Sequence, residues 1–538
     1  MNYTDFQTIY KSTECSLLEI FVNNQEKFAQ NQALWVDGMY YTYADLFDQA
    51  QELAAYFVSI SPDQGRCAIL ADRALHAYQS ILAALFSCKA YLPLNPKFSV
   101  ERNLAMLEIG NPSFICIDTQ QKHTAGMLLK ALESTKICVF DVDILVFLKK
   151  EAPQHQYFHF ASGQNRKIPV NILPNLAQPA YLMFTSGTTG KPKGISVTHG
   201  NLSAYVNAMV QLLDLRPEDR FSQLFELTFD LSAHELFVCW SVGATLYVVP
   251  DNHILGMKSF IQQHRLTHWM SVPSWVTLLH EFEQLSAHAF PSLRYSLFCG
   301  EAFTQTQAKQ WQYSACDSKL INLYGPTEAT IAFTCFFVDT LADTSLPIVP
   351  IGTPLANQLC RIIDKEGMPC ENGHIGELCL AGSQVVSSYW QQPEQTKKSF
   401  ITFYNDDRIW YRTGDMVSLH SEYGLLFHGR NDDQWQIYGQ RIEKIEIESA
   451  LRHIAKNDAI AILPKKNIQG VVTGLILFVT ESIDSVMLIK TAKKQLPTIM
   501  IPEQVMIIHQ LPKNVNGKID YTALEDLVKS HANVNTDV

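Results

Sequence analysis

Basic residues are in short supply. The 538-residue chain carries 42 Lys and Arg against 53 Asp and Glu, a formal net charge of −11. A nucleic-acid surface needs a basic excess, so no nucleic acid is expected as a partner. Long apolar runs are also missing. The longest charge-free apolar stretch, Leu236 to Pro250, falls short of the roughly 20 residues that span a bilayer. The opening MNYTDFQTIYKSTE has no basic segment ahead of an apolar core, so a secretory leader is not expected either. The reading is a cytoplasmic protein that is not membrane-embedded. Twelve cysteines form no C-x-x-C pair, and none follows Cys379. A disulfide framework and a C-x-x-C zinc site are thereby excluded, and the thiols read as small buried apolar groups in a reducing compartment. Charged residues make up only 18%, yet 47% hydrophobic and 11% aromatic content excludes a disordered chain.

At roughly 100–200 residues per domain, the length allows two to five domains. Apolar recurrence at three and four predicts a helix over 43–58, a short strand over 66–71 and a second helix over 75–88, with a turn at Pro93-Leu94-Asn95-Pro96. This alternation predicts α/β domains with largely parallel sheets. From about Ile348 to Arg430, short strands (360–363, 376–380) between Gly, Pro and Asn turns predict a small β-rich subdomain. The polar run Gly429-Arg430-Asn431-Asp432-Asp433-Gln434 reads as a linker. The expected organisation is a large N-terminal domain over 1–431, built of two α/β subdomains plus the β-rich one, and a small mobile α+β domain over 432–538. No internal repeat is visible.

The sharpest feature is Tyr181 to Gly194, YLMFTSGTTGKPKG, an apolar strand running into a loop rich in Gly, hydroxyls and Lys. Backbone N–H groups exposed by Gly, the hydroxyls of Thr185, Ser186, Thr188 and Thr189, and the charges of Lys191 and Lys193 suit a polyphosphate. It is no Walker A loop, because Thr185 stands where the first Gly belongs and Pro192 follows Gly190-Lys191. It is no nucleophile elbow either, because Phe184 replaces the leading Gly.

Five further motifs follow in order: Phe229-Asp230-Leu231-Ser232; Asn322-Leu323-Tyr324-Gly325-Pro326-Thr327-Glu328; Tyr411-Arg412-Thr413-Gly414-Asp415; Gly429-Arg430 through Gly439-Gln440-Arg441-Ile442-Glu443; and Leu511-Pro512 through Asn516-Gly517-Lys518-Ile519-Asp520. With the loop, they are similar to the adenylate-forming superfamily of acyl- and aryl-CoA ligases, luciferases and non-ribosomal adenylation domains. The resemblance implies attack of a substrate carboxylate on the ATP α-phosphorus with release of pyrophosphate. It implies that Thr185, Ser186, Gly187, Thr188, Thr189, Gly190, Lys191 and Lys193 hold the β- and γ-phosphates. Thr327 would contact the α-phosphate and Glu328 would ligate Mg²⁺, for which one carboxylate beside ATP oxygens suffices. Tyr324 and Gly325 would line the adenine, with Tyr324 stacked on it and Asn322, Gly300 and Glu301 at its edge. Asp415 would accept from the ribose, and Arg430 would reach ribose or phosphate. Lys518 would be the catalytic cation, brought in and withdrawn by rotation about Asp432, and Gly439 would line a narrow thiol passage.

Asp230 sets the expected substrate class. A carboxylate beside apolar residues suits an α-ammonium group, because an unpaired buried charge is costly. Capping of a helix over 232–240 is the other use for such an Asp. The matching pocket positions are Leu231, His234, Ser271, Leu297, Cys299, Leu323, Ile331 and Ala332, mostly apolar. His234 reads equally as a core or rim histidine. The segments 229–232, 297–301 and 325–330 resemble D-alanine–carrier ligases. Leu323, His234 and Ile331 depart from that pattern toward bulk, so the implied substrate is a small amino acid, glycine ahead of D-alanine, as in glycine-activating ligases of lipid A modification. Discrimination of one methyl is worth about 1–3 kcal/mol. The implied acceptor is the phosphopantetheine of a separate carrier protein, with coenzyme A as the alternative, since few residues follow Asp520. Ile483-Asp484-Ser485-Val486 faintly resembles a carrier's modified Ser, but lacks the preceding Gly pair and reads more simply as a turn. An acyl- or aryl-CoA ligase is the more distant alternative.

Overall fold

The computed structural model describes residues 6–7, 17–163, 175–185, 192–251, 254–338, 346–432, 434–467, 471–513 and 519–534. The chain divides into two compact units. The larger runs to Asn431, and the smaller comprises Asp432 onward with the short segments Lys97–Ser99 and Thr185–Pro192.

The larger unit holds three sheets. In the first, the strands Lys193–Thr198, Pro179–Thr185, Ala90–Leu94, Arg66–Leu70, Phe114–Ile117, Lys136–Val139 and Gln156–His159 lie in that spatial order. Arg66–Leu70 pairs in parallel with both neighbours. Its flanking helices are Tyr43–Ile60 and Leu75–Phe86, where the apolar periodicity places them. The turn expected at 93–96 is shorter than anticipated. Pro93 and Leu94 close the Ala90–Leu94 strand, with Pro93 opposite Ile69. Every residue of that strand is buried, and this outweighs the hydrogen bond Pro93 cannot donate.

The second sheet orders Thr353–Pro354, Thr334–Phe337, Lys319–Tyr324, Tyr295–Phe298, His268–Ser271, Arg220–Gln223, Thr245–Val248, Gln32–Val36 and Met39–Thr42. Its central strands are parallel, so their carboxyl ends open at one edge, where α/β sheets bind ligands. The third sheet is antiparallel, built around Gln358–Ile363, Gly376–Gly382 and Asp406–His420, as the Gly- and Pro-punctuated texture predicts. The polar run read as a linker is partly strand. Gly429 and Arg430 end the Gly424–Arg430 strand, where Arg430 pairs with Asp415, and Gln434 opens the Gln434–Ile437 strand.

The smaller unit packs the sheet Ile460–Lys466, Val472–Thr480, Gln504–Ile508 between two apolar clusters, one centred on Ile462, Leu477 and Leu451, the other on Phe478, Met506 and Leu524. The 483–486 string is explained locally. Asp484 caps the Ser485–Gln495 helix, accepting from Met487 N at 2.9 Å.

One buried network aims the Asp230–Ser241 helix. The Glu235 carboxylate accepts from the backbone of Leu224 (2.8 Å) and Phe225 (3.2 Å) and from Gln223 Nε2 (3.2 Å). Gln223 Oε1 accepts from Tyr78 (2.8 Å), and Arg73 ties the Gln223 and Leu224 carbonyls at 3.0 Å each. Glu235→Ala strands these buried donors. It should lower unfolding free energy by about 2–4 kcal/mol in urea denaturation, and Glu235→Gln, which retains an acceptor, should cost less.

Candidate active site

Asp230 is the first residue of the Asp230–Ser241 helix, and the capping position belongs to Phe229, with no side-chain cap bond. The helix-capping alternative therefore fails, since the carboxylate points elsewhere. It is approached by the Thr327 hydroxyl and by the backbone N–H of Leu231 and Ile331, while its Oδ2 has no hydrogen-bond partner among the described residues. Burial pushes this carboxyl up to about 7. The Thr327 hydrogen bond opposes that rise, and the neighbouring Glu328 charge adds to it.

Leu231, Leu297, Cys299, Leu323, Ile331 and Ala332 gather in one buried cluster with Tyr91, Tyr181 and Tyr205. Burial raises the Cys299 thiol and so does the Asp230 charge, while the N–H groups of Gly300 and Gly325 reach it from two sides. The thiol is protonated. His234 is a core histidine. Tyr205 Oη lies 2.7 Å from its Nδ1, and burial depresses the imidazole to about 3, with His268 contributing. Ser271 departs from expectation. Its hydroxyl accepts from Trp269 Nε1 at 2.9 Å, and strand alternation puts it on the face of Trp269 and Phe298. Met270 and Val272 instead join the cluster of Leu297 and Cys299.

The turn after Lys319–Tyr324 brings Thr327 and Glu328 beside Asp230. A Cβ on Gly325 would fall 2.6 Å from Ala332 Cα, so only glycine lets these two backbones meet. Glu328 is fully buried. Its Oε1 accepts from Tyr389 at 2.7 Å, and its carbonyl accepts from Val386 N at 2.9 Å. Lys193, itself buried, lies 5.8 Å from the Tyr389 ring centroid.

A second polar group surrounds Asp415. Tyr324 donates to its Oδ2 and Arg430 to its Oδ1, each at 2.5 Å, and Arg430 also donates to the Thr413 carbonyl at 2.9 Å. Arg430 is thus engaged with the very carboxylate expected to take the ribose. Asn322 donates to the Pro350 carbonyl at 2.9 Å, and its buried Oδ1 has no partner. Gly300 takes a left-handed φ of 94°, and Glu301 accepts from Ser274 N at 2.8 Å. Thr185 ends its strand with a buried hydroxyl that has no partner among the described residues.

Ser186, Gly187, Thr188, Thr189, Gly190, Lys191 and Lys518 lie outside the described residues. In the smaller unit, Asp432 accepts from Gln434 N at 3.3 Å. Gly439 shares a two-residue hairpin turn with Tyr438, at φ of 74° and 48°, the mirror-image turn that favours glycine independently of any passage. Tyr91, Tyr181, Tyr205 and Tyr389 were not legible as site residues. They arrive from two strands, a helix and the loop after Gly376–Gly382, and apart from Tyr181, which opens the 181–194 stretch, nothing in their neighbouring sequence marks them.

The donor chemistry is compatible with a divalent cation brought by a nucleotide. Glu328 offers a buried hard oxygen close to a second carboxylate, and among the described residues no group of three or more His, Cys, Asp or Glu forms a cage of its own. Mg²⁺ commonly binds in this sparse way, completed by substrate phosphates.

The family model described as AMP-binding enzyme matches residues 21–390, and the chain belongs to that family. An L-proline--[L-prolyl-carrier protein] ligase of Streptomyces coelicolor is 32% identical over 502 residues, covering 90% of this chain and 91% of that protein. A D-alanine--D-alanyl carrier protein ligase of Streptococcus pneumoniae is 29% identical, covering 93% and 96%. Tyrocidine synthase 3 of Brevibacillus parabrevis is 30% identical over 95% of this chain, which spans 8% of that protein's length. Among solved structures, the Vibrio cholerae adenylation domain AlmE in complex with glycyl-adenosine-5′-phosphate matches with a TM-score of 0.87 and 34% identity, over 98% of this chain and all of that one.

The Asp230 carboxyl makes a stability prediction. Its folded value of about 7 lies above the ordinary 3.8. Its contribution to stability is therefore complete below pH 3.8 and lost as pH rises through 7. Asp230→Asn should raise the unfolding free energy at pH 8 by about 2–4 kcal/mol and lose that advantage by pH 4. Thermal denaturation across this range measures both ends.

Proposed function

We propose that this enzyme activates a small amino acid, glycine in preference to D-alanine, as its aminoacyl-adenylate with release of pyrophosphate. It then passes the aminoacyl group to the phosphopantetheine thiol of a separate carrier protein. The observation that carries this reading is the unpartnered Asp230 Oδ2 inside an otherwise apolar, protonated enclosure. An α-ammonium group satisfies that oxygen, and ionisation of Asp230 on binding supplies the counter-charge. Cys299, Leu323, Ile331 and the Tyr205–His234 pair close the remaining space, leaving little room beyond Cα. The glycyl-adenosine-5′-phosphate bound to AlmE supports glycine, and the Streptococcus pneumoniae ligase supports D-alanine as the second reading.

In the reaction, Asp230 orients the amino acid by its ammonium, leaving the carboxylate toward Thr327. That hydroxyl bridges Asp230 and the position expected for the α-phosphate, so amino-acid binding and nucleotide placement share one side chain. Asp415, held by Tyr324 and Arg430, is the acceptor for ribose hydroxyls. Glu328 would hold Mg²⁺, which supplies charge neutralisation on the phosphates. The 185–193 segment cradles the β- and γ-phosphates, and Lys518 contributes the cation between carboxylate and phosphate. Asp432 is the hinge that withdraws Lys518, and Gly439 lines the thiol route. ATP dependence fits a cytoplasmic enzyme, and the resemblance to glycine-activating ligases extends the role to lipid-A-type envelope modification.

ATP–pyrophosphate exchange tests the substrate. Glycine should give the highest rate and D-alanine a rate about 10- to 100-fold lower, as one methyl permits, with L-phenylalanine and aryl acids silent. Preference for a large amino acid overturns the small-pocket reading. Lys518→Ala should lose about 100-fold or more of adenylate formation yet still pass a presynthesised adenylate to carrier thiol. Equal loss of both half-reactions contradicts the assigned division of labour.

A further inference from the structure

Thr330 and Ile331 stand side by side at φ of 57° and 72°. Left-handed backbone is uncommon outside glycine and is a genuine outlier for β-branched residues, which persist there only where surroundings hold them. Both are buried, and Ile331 supplies an N–H to Asp230. What holds them comes from the loop after Gly376–Gly382. The Gln384 side-chain Nε2 donates toward the carbonyls of Ala332 at 2.7 Å and of Ala329 and Thr330 at 3.3 Å each. Thr330 returns the contact, its hydroxyl donating to the Gln384 carbonyl at 2.5 Å. Gln384 is itself fixed, fully buried, with its N–H on Gln358 Oε1 at 3.3 Å. Three carbonyls around one nitrogen fix which end of the amide faces the turn, since the oxygen would meet only acceptors. That oxygen, Oε1, is left buried and without a partner among the described residues. An amide that accepts such a loss to grip three carbonyls of one turn, on both sides of Ile331, is placed for the turn.

We propose that Gln384 is a positioning residue for amino-acid activation: its amide keeps the Thr330–Ile331 turn in its left-handed form, so that the Ile331 N–H remains on Asp230. The inference rests on Asp230 being the amino-acid site. Without the amide, Ile331 relaxes toward negative φ, its N–H swings away, and the carboxylate loses its fixed direction toward the ammonium. The nucleotide side, anchored through Tyr324, Asp415 and Arg430 on other strands, is not held by this amide.

Gln384→Met tests it, because Met keeps the volume and removes the orphaned oxygen together with the donors. Steady-state exchange should show the glycine KM raised about tenfold or more, the loss of one to two net hydrogen bonds, while the ATP KM moves less than about threefold. Glycine at position 331 adopts positive φ without strain. In an Ile331→Gly background, whatever its own activity, the further effect of Gln384→Met should therefore shrink below about threefold. A glycine KM unchanged in Gln384→Met, equal losses for glycine and ATP, or an undiminished effect in the Ile331→Gly background overturns the assignment. Should Gln384→Met not fold, Thr330→Val, which removes only the returning hydroxyl bond, is read by the same split between glycine and ATP. Absence of amino-acid-dependent exchange in the unmodified enzyme overturns the functional reading itself. Exchange that survives every variant unchanged overturns the clamp alone.

Discussion

A carboxylate stripped of water is the constraint around which the larger unit is arranged. Asp230 sits where burial favours its neutral form, within reach of a second acid, Glu328, and among phenols and a thiol whose own ionisation it suppresses. These phenols and this thiol thereby keep their protons at neutral pH. His234 is kept neutral by burial, and Cys299 keeps its proton. On the proposed reading, the Asp230 oxygen left without a hydrogen-bond partner among the described residues is the electrostatic demand that a ligand ammonium would meet. Stability is sacrificed for that vacancy, as the opposed behaviour of Asp230 at low and high pH expresses.

The parallel sheet explains how residues so far apart in sequence meet. Leu297 and Cys299 follow one strand, Leu323 and the 325–332 turn follow its neighbour, and the Asp230 helix begins after a third. Each contributes from its carboxyl end. Because alternate residues face opposite sides, one strand can serve two regions. Leu323 enters the apolar cluster, while Asn322 turns to the Val349–Pro350 backbone. The same alternation removes Ser271 from the pocket and brings Val272 toward it.

Much of the larger unit's architecture was legible because its signals are local: helix periodicity at 43–58, glycine-punctuated strands after 348, and motifs whose residues are contiguous. Asp230, Thr327 and Glu328 could be named for the same reason, and the structure brings them together. The tyrosines could not. Tyr91, Tyr181 and Tyr205 look like ordinary core residues along their elements, two strands of the first sheet and the His199–Leu212 helix, and only the tertiary fold brings them to Asp230. Pro93 shows the converse failure. A local breaker signal was overridden by burial, since a strand with all its side chains in the core tolerates one missing donor. The engagement of Arg430 with Asp415 was equally invisible, because cross-strand register decides it.

Selectivity against one methyl group cannot come from attraction, since the extra methyl adds favourable contact as readily as it clashes. It must come from walls that do not yield, because a pocket that relaxes by a few tenths of an ångström recovers most of the penalty. The walls here are restrained in ways that go beyond packing. Cys299 is approached by two backbone N–H groups, His234 is bonded to Tyr205 at 2.7 Å, and the Ile331 turn is gripped through its carbonyls. Rotation of any one side chain breaks a hydrogen bond in a place without water to replace it, which costs more than the same motion in a purely aliphatic pocket. On the proposed reading, polar restraint of apolar walls is the physical route by which so small a difference as glycine from alanine would become readable.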